Sequence, residues 1–126
     1  MTENELSTIV VNAAFQIHTK LGPGLFESVY ETALDYDLRE EYGLFVKRQV
    51  EIPVIWKGQR MENGFRADLI VEEKLIVEIK SIDFLADIHF KQLHTYLRLT
   101  RCKLGLLINF NEVLIKNGIK RVVNNL

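Results

Sequence analysis

The chain has 126 residues, 48% hydrophobic and 26% charged, with a formal net charge of −1. That length and balance fit one globular domain over residues 1–126 with a modest core of its own. No apolar run approaches the roughly 20 residues of a membrane span, and the acidic, polar N-terminus is unlike a signal peptide, so no membrane and a cytoplasmic location are expected. Near-neutral charge argues against tight non-specific binding of nucleic acid by a monomer, because phosphate contacts supply most of such affinity. It leaves room for a local basic patch, a homodimer that pools two patches, or a recruiting protein. The lone Cys102 has no disulfide partner in the chain and no zinc partners at ligand spacing, and reads as a small core residue.

Leu6, Ile9, Val10, Ala13, Ile17 and Leu21 recur at helical spacing, predicting a helix over 6–21 with Asn4 or Ser7 as cap and Gly22-Pro23-Gly24 as stop. A second helix is predicted over 25–42, with Phe26, Val29, Tyr30, Ala33, Leu34 and Leu38 facing inward and Gly43 ending it. Its start carries Gly24-x-x-Glu27-x-x-Tyr30, in which Glu27 and Tyr30 share a helix face. On the helix alone, Glu27 reads as a first-turn acid that complements the helix dipole. Residues 46–56 then alternate as a strand, with Val46, Val50, Ile52, Val54 and Trp56 on one face. Arg48 interrupts that inward set, and Pro53 favours an edge or a bulge.

After a turn at Lys57-Gly58-Gln59 come strands over 60–71 and 75–80. A three-residue loop, Glu72-Glu73-Lys74, places Asp68 directly opposite Glu78 and Arg66 opposite Lys80. Ala67, Leu69, Val71, Leu75, Val77 and Ile79 then form one apolar face, and Arg66, Asp68, Ile70, Ile76, Glu78 and Lys80 the other. Two facing carboxylates on largely buried strands need a proton, a basic neighbour or a metal ion. Arg66 and Lys80 could serve merely as their counter-ions.

A helix over 87–100 follows, with Phe90, Leu93 and Leu97 as core stripe and His89, Gln92 and Tyr96 on another face. The continuous apolar run 104–110 fits a buried strand parallel to 75–80, with the helix as crossover. Residues 113–116 and 119–123 around Asn117-Gly118 read as a small terminal hairpin.

Asp68, nine residues, then Glu78-Ile79-Lys80 is the pattern Asp…Glu-x-Lys, which resembles the PD-(D/E)xK nuclease superfamily. Leu21-Gly-Pro-Gly-Leu-x-Glu27-Ser-x-Tyr30 resembles the GxxExxY protein family, grouped with that superfamily, and Gln92-x-x-x-Tyr96 resembles the motif after the catalytic strand of its RecB-like members. The resemblance implies an α/β restriction-endonuclease-like fold, an α-β-β-β-α-β core whose mixed sheet is flanked by helices. It implies Mg²⁺ or Mn²⁺ held by Asp68 and Glu78, joined by Glu27 and the Ile79 carbonyl, with Lys80 assisting the attacking water. Gln92, Tyr96, Tyr30 and His18 would line the same pocket, although a helix-packing or surface role fits His18 equally well. The implied activity is hydrolysis of phosphodiester bonds in nucleic acid, with DNA expected. The alternative is a non-catalytic binding or regulatory module on the same fold, in dimeric form or otherwise.

Overall fold

In the computed structural model the first helix, α1, covers Glu3–Leu21 and begins ahead of its apolar stripe. The structure describes residues 1–61 and 64–126. Thr2 caps α1 in place of the expected Asn4 or Ser7. The Thr2 hydroxyl accepts the Glu5 N–H and the Glu5 carboxylate accepts the Thr2 N–H, both at 3.1 Å, a reciprocal capping box. Gly22, at φ +69°, ends the helix with its N–H on the His18 carbonyl. The second helix, α2, covers Glu27–Glu40 and buries Tyr30, Leu34 and Leu38 as predicted. Phe26 and Val29, expected inside, are exposed, because Phe26 is the N-cap residue and lies off the helix's buried face.

Five strands form one sheet: β1 (Val46–Ile52), β4 (Phe65–Val71), β5 (Leu75–Lys80), β6 (Leu104–Asn109) and β7 (Ile119–Val123), in the order β1-β4-β5-β6-β7. The helix α3 (Asp87–Thr100) is the crossover between β5 and β6, the parallel pair. All the other neighbours are antiparallel. Burial of every residue of β6 follows from its place inside the sheet with helices over both faces.

The strand expected over 46–56 stops at Ile52, where Pro53 has no N–H to give the ladder. Residues 55–60 make a separate two-stranded ribbon, β2 (Ile55–Trp56) and β3 (Gln59–Arg60), turned at Lys57 and Gly58, both at positive φ. Part of the strand expected from residue 60 falls on Glu62 and Asn63, which lie outside the described residues. The terminal hairpin is also corrected. Ile115–Gly118 is a 3₁₀ turn, and β7 pairs antiparallel with β6 at the sheet edge. Gly118 lies so close to the Asn109 carbonyl that a Cβ would collide with it, so the turn delivers the next strand onto β6.

One core layer joins α1 and α2 to Leu69, Val71, Leu75, Val77 and Ile79, and the other joins α3 to Val50, Ile52, Ala67, Ile70, Ile76 and Leu107. Val46 belongs to the first layer, whereas Val50 and Ile52 belong to the second. Ala67 likewise parts company with Leu69 and Val71. The predicted alternation therefore breaks at one level of the sheet. Arg48 pairs with Leu69 and Val50 with Ala67, leaving Gln49, at φ +49°, across from Asp68. A non-glycine residue in that left-handed conformation turns its side chain out of strand alternation.

Candidate active site

The site lies where β4 leaves β5. The two strands are paired at Val71↔Leu75, Ile70↔Ile76 and Leu69↔Val77, the register set by a three-residue loop with Glu72 and Glu73 at positive φ. One step further the backbone ladder gives way to the two side chains. The Asp68 N–H donates to Glu78 Oε2 at 2.7 Å, and the Ile79 N–H donates to Asp68 Oδ2 at 2.8 Å. Meanwhile β5 stays paired with β6 through Lys80↔Asn109, and β4 with β1 through Phe65↔Ile52. Asp68 and Glu78 thus occupy the fork between two ribbons, each fixed by a backbone donor of the other strand.

Burial dominates the electrostatics. Glu78 is only 6% exposed, and loss of water, followed by the nearby Asp68 charge, pushes its pKa from 4.5 up to about 8. Asp68 is raised as well, first by burial and also by the Glu31 charge, against the lowering effect of the Ile79 N–H. The positive charge of Lys80 acts on both acids in the stabilising direction without overcoming burial. Among the described residues neither acid has a cation within ion-pair distance. Arg66, one of the two candidate counter-ions, reaches Glu51 of β1 instead, at 3.6 Å.

Lys80 is half-buried at the end of β5, and the chain beyond it is tied down. The Ser81 N–H donates to Glu27 Oε2 at 3.1 Å, and the Ser81 hydroxyl to the Leu25 carbonyl at 2.6 Å. Asn109, fully buried, accepts the Ile82 N–H and donates to the Ile82 carbonyl. Glu27 is therefore tied to the residue after Lys80, at the exposed start of α2.

Tyr96 is 6% exposed, and burial together with the charges of Glu78 and Asp68 pushes its pKa up to about 12. Tyr96 packs in the layer that holds Ala67 and Ile70 of β4 and Ile76 of β5, its ring centroid 5.2 Å from that of Phe65, and Gln92, half-buried, is one turn before it on α3. Tyr30 and His18 are engaged elsewhere. The Tyr30 hydroxyl donates to the Gly22 carbonyl at 2.6 Å and accepts the Leu25 N–H at 3.1 Å, and its ring stacks on Phe110 with centroids 4.4 Å apart. It clamps the turn between α1 and α2. His18 Nε2 lies 2.7 Å from the Glu112 carbonyl, bridging α1 to the turn before β7.

Two residues of the site escaped sequence reasoning. Glu31, buried on α2, accepts from Arg48 through Oε2 at 3.0 Å and from the Gln49 amide through Oε1 at 2.6 Å. The same Gln49 nitrogen donates to Asp68 Oδ1 at 3.2 Å. Arg48 was the available signal, since a cation at an inward strand position needs buried acids, and Glu31 and Asp35 are those acids.

Among the described residues no three His, Cys, Asp or Glu side chains converge as a ready-made metal cage. A Mg²⁺-type ion does not need one, because it keeps several waters and takes one or two carboxylates with substrate phosphate oxygens. One buried and one half-buried carboxylate, both anchored by backbone N–H groups and, among the described residues, with no cation at ion-pair distance, fit such an ion.

A mixed five-stranded sheet between helices, with paired acids at a fork and Glu-x-Lys on its middle strand, defines a restriction-endonuclease-like α/β domain. The family model described as the PD-(D/E)XK nuclease superfamily matches residues 4–122, and the chain belongs to that superfamily. That match does not resolve the GxxExxY family within it. No curated protein and no solved structure matches the chain. No helix among the described residues is long and apolar enough to cross a membrane.

Proposed function

We propose that the protein is a divalent-metal-dependent nuclease that hydrolyses phosphodiester bonds of DNA at Asp68, Glu78 and Lys80. The observation that carries this reading is the Asp68–Glu78 pair, Glu78 buried and Asp68 half-buried, held by reciprocal backbone bonds and, among the described residues, with no cation at ion-pair distance. Asp68 and Glu78, with the Ile79 carbonyl, would hold Mg²⁺ or Mn²⁺, and Glu27 is the further acid that could join them. The ion would supply positive charge to a phosphodiester and lower the pKa of a water. Lys80, placed by the anchors on Ser81 and Ile82, orients the attacking water or offsets charge developing on the phosphate. Tyr96, buried on α3, and Gln92, one turn before it, would close the α3 side of the site and limit bulk water there.

A second reading, a nuclease-fold module that binds without cleaving, draws support from the net charge of −1. One assay separates the two. Single- and double-stranded DNA are incubated with the protein in Mg²⁺, in Mn²⁺ and in EDTA, beside Glu78→Gln. Cleavage that requires the cation and falls at least ~10²-fold in Glu78→Gln is expected. Wild type and variant that are equally inactive, or equally active, would leave the binding module or a contaminant.

A further inference from the structure

We propose that Gln49 is a positioning residue for the acidic site, a neutral bridge that draws Asp68 and Glu31 together without cancelling their charge; this rests on the metal-site reading above. Its Nε2 amide lies 2.6 Å from Glu31 Oε1 and 3.2 Å from Asp68 Oδ1, so its two N–H groups serve two carboxylates from different elements. Asp68 Oδ2 is already taken by the Ile79 N–H. Gln49 thus holds the remaining oxygen and fixes the carboxylate plane.

The backbone at this position is unfavourable for glutamine and is kept nonetheless. Gln49 sits at φ +49° inside a strand that is paired on either side of it, at Arg48↔Leu69 and Val50↔Ala67. Such a conformation costs free energy in a residue with a Cβ. What it achieves is visible in the side chains, because Arg48 and Gln49, successive residues that a regular strand would send to opposite faces, both reach Glu31. Arg48 takes Glu31 Oε2 and leaves Oε1 to the amide. A lysine or arginine at 49 could make the same two contacts but would neutralise the acids that a cation needs. An amide organises the negative charge and leaves it available.

The test compares wild type with Gln49→Gly, Gln49→Lys and Asp68→Asn by calorimetric titration of Mn²⁺ and by thermal melts in EDTA. Glycine removes the bridge and relieves the φ, so Gln49→Gly should melt at or above the wild-type temperature yet bind Mn²⁺ at least ~10-fold more weakly, as loss of groups that orient metal ligands does. Gln49→Lys should also keep its melting temperature and lose Mn²⁺ binding altogether. A merely structural glutamine would move stability and leave metal affinity alone. Mn²⁺ affinity within twofold of wild type in both Gln49 variants, with binding abolished in Asp68→Asn, would overturn the role of Gln49 and keep the metal site. No Mn²⁺ binding by wild type would overturn both.

Discussion

Glu78→Gln in the metal-free protein isolates the electrostatics of the fork. Glutamine has nearly the shape of a protonated glutamate, and its carbonyl can still accept the Asp68 N–H that now reaches Glu78 Oε2. The pKa of Glu78 is raised in the folded protein from 4.5 to about 8, so the folded state holds the proton more tightly than the unfolded chain does. Stability is therefore greatest below about pH 4.5 as far as this group is concerned, and declines as the pH rises toward 8. At ~1.4 kcal/mol per tenfold, the whole rise corresponds to roughly 5 kcal/mol as an upper bound. Coupling to Asp68 and relaxation of the site reduce this, leaving an expected gain of about 1–3 kcal/mol for Glu78→Gln at pH 8, a rise in Tm of several degrees. At pH 4, below both the unfolded and the folded pKa of Glu78, the two proteins should melt close together. Melts in EDTA at both pH values supply the comparison. A variant that is less stable than wild type at pH 8 would mean that the carboxylate has a stabilising partner, and the uncompensated-acid reasoning would be refuted.

Lys80→Met should leave Mn²⁺ affinity within a few-fold while lowering metal-dependent cleavage by ~10²-fold or more; cleavage at the wild-type rate would reduce Lys80 to a counter-ion. Tyr96 should ionise near pH 12 in an ultraviolet titration, and should titrate earlier in Glu78→Gln because a neighbouring negative charge is gone. An unchanged curve would separate Tyr96 from the acids. Tyr30→Phe should cost about 1–3 kcal/mol, since it strips a buried partner from the Gly22 carbonyl and the Leu25 N–H. It should leave Mn²⁺ binding intact, and a loss of binding with little loss of stability would return Tyr30 to the pocket.

The hairpin at the centre was legible because strand parity is rigid: a three-residue loop can only bring Asp68 and Glu78 level, and the observed pairs Leu69↔Val77 and Val71↔Leu75 follow that register. The crossover helix and β6 were legible from hydrophobic period and from a run too apolar for any place but the sheet's interior. What stayed hidden depends on single-residue backbone choices. A glutamine at positive φ has no sequence signature, so the face switch that sends Val50 and Ile52 to the α3 layer while Val46 stays in the other could not be read from alternation. Asn117-Gly118 has the composition of a two-residue hairpin turn, and only the tight approach of Gly118 to Asn109 shows that it steers β7 onto β6. At the site, the motif Tyr30 proved to be a clamp on the preceding turn. The buried helical acid nearest in charge to Asp68 and Glu78 is Glu31, one turn beyond the motif glutamate Glu27. Motif spacing gives the helix face but not which of two acids on it reaches furthest inward.

A crystal of the protein soaked in Mn²⁺ and measured for anomalous scattering tests the metal site most directly, because it needs neither substrate nor turnover. A peak bounded by the Asp68 and Glu78 carboxylates, absent from crystals of Glu78→Gln, is the predicted result. Well-ordered crystals in millimolar Mn²⁺ with no peak at the fork, and with the Asp68 N–H and Ile79 N–H still on their carboxylates, would contradict it.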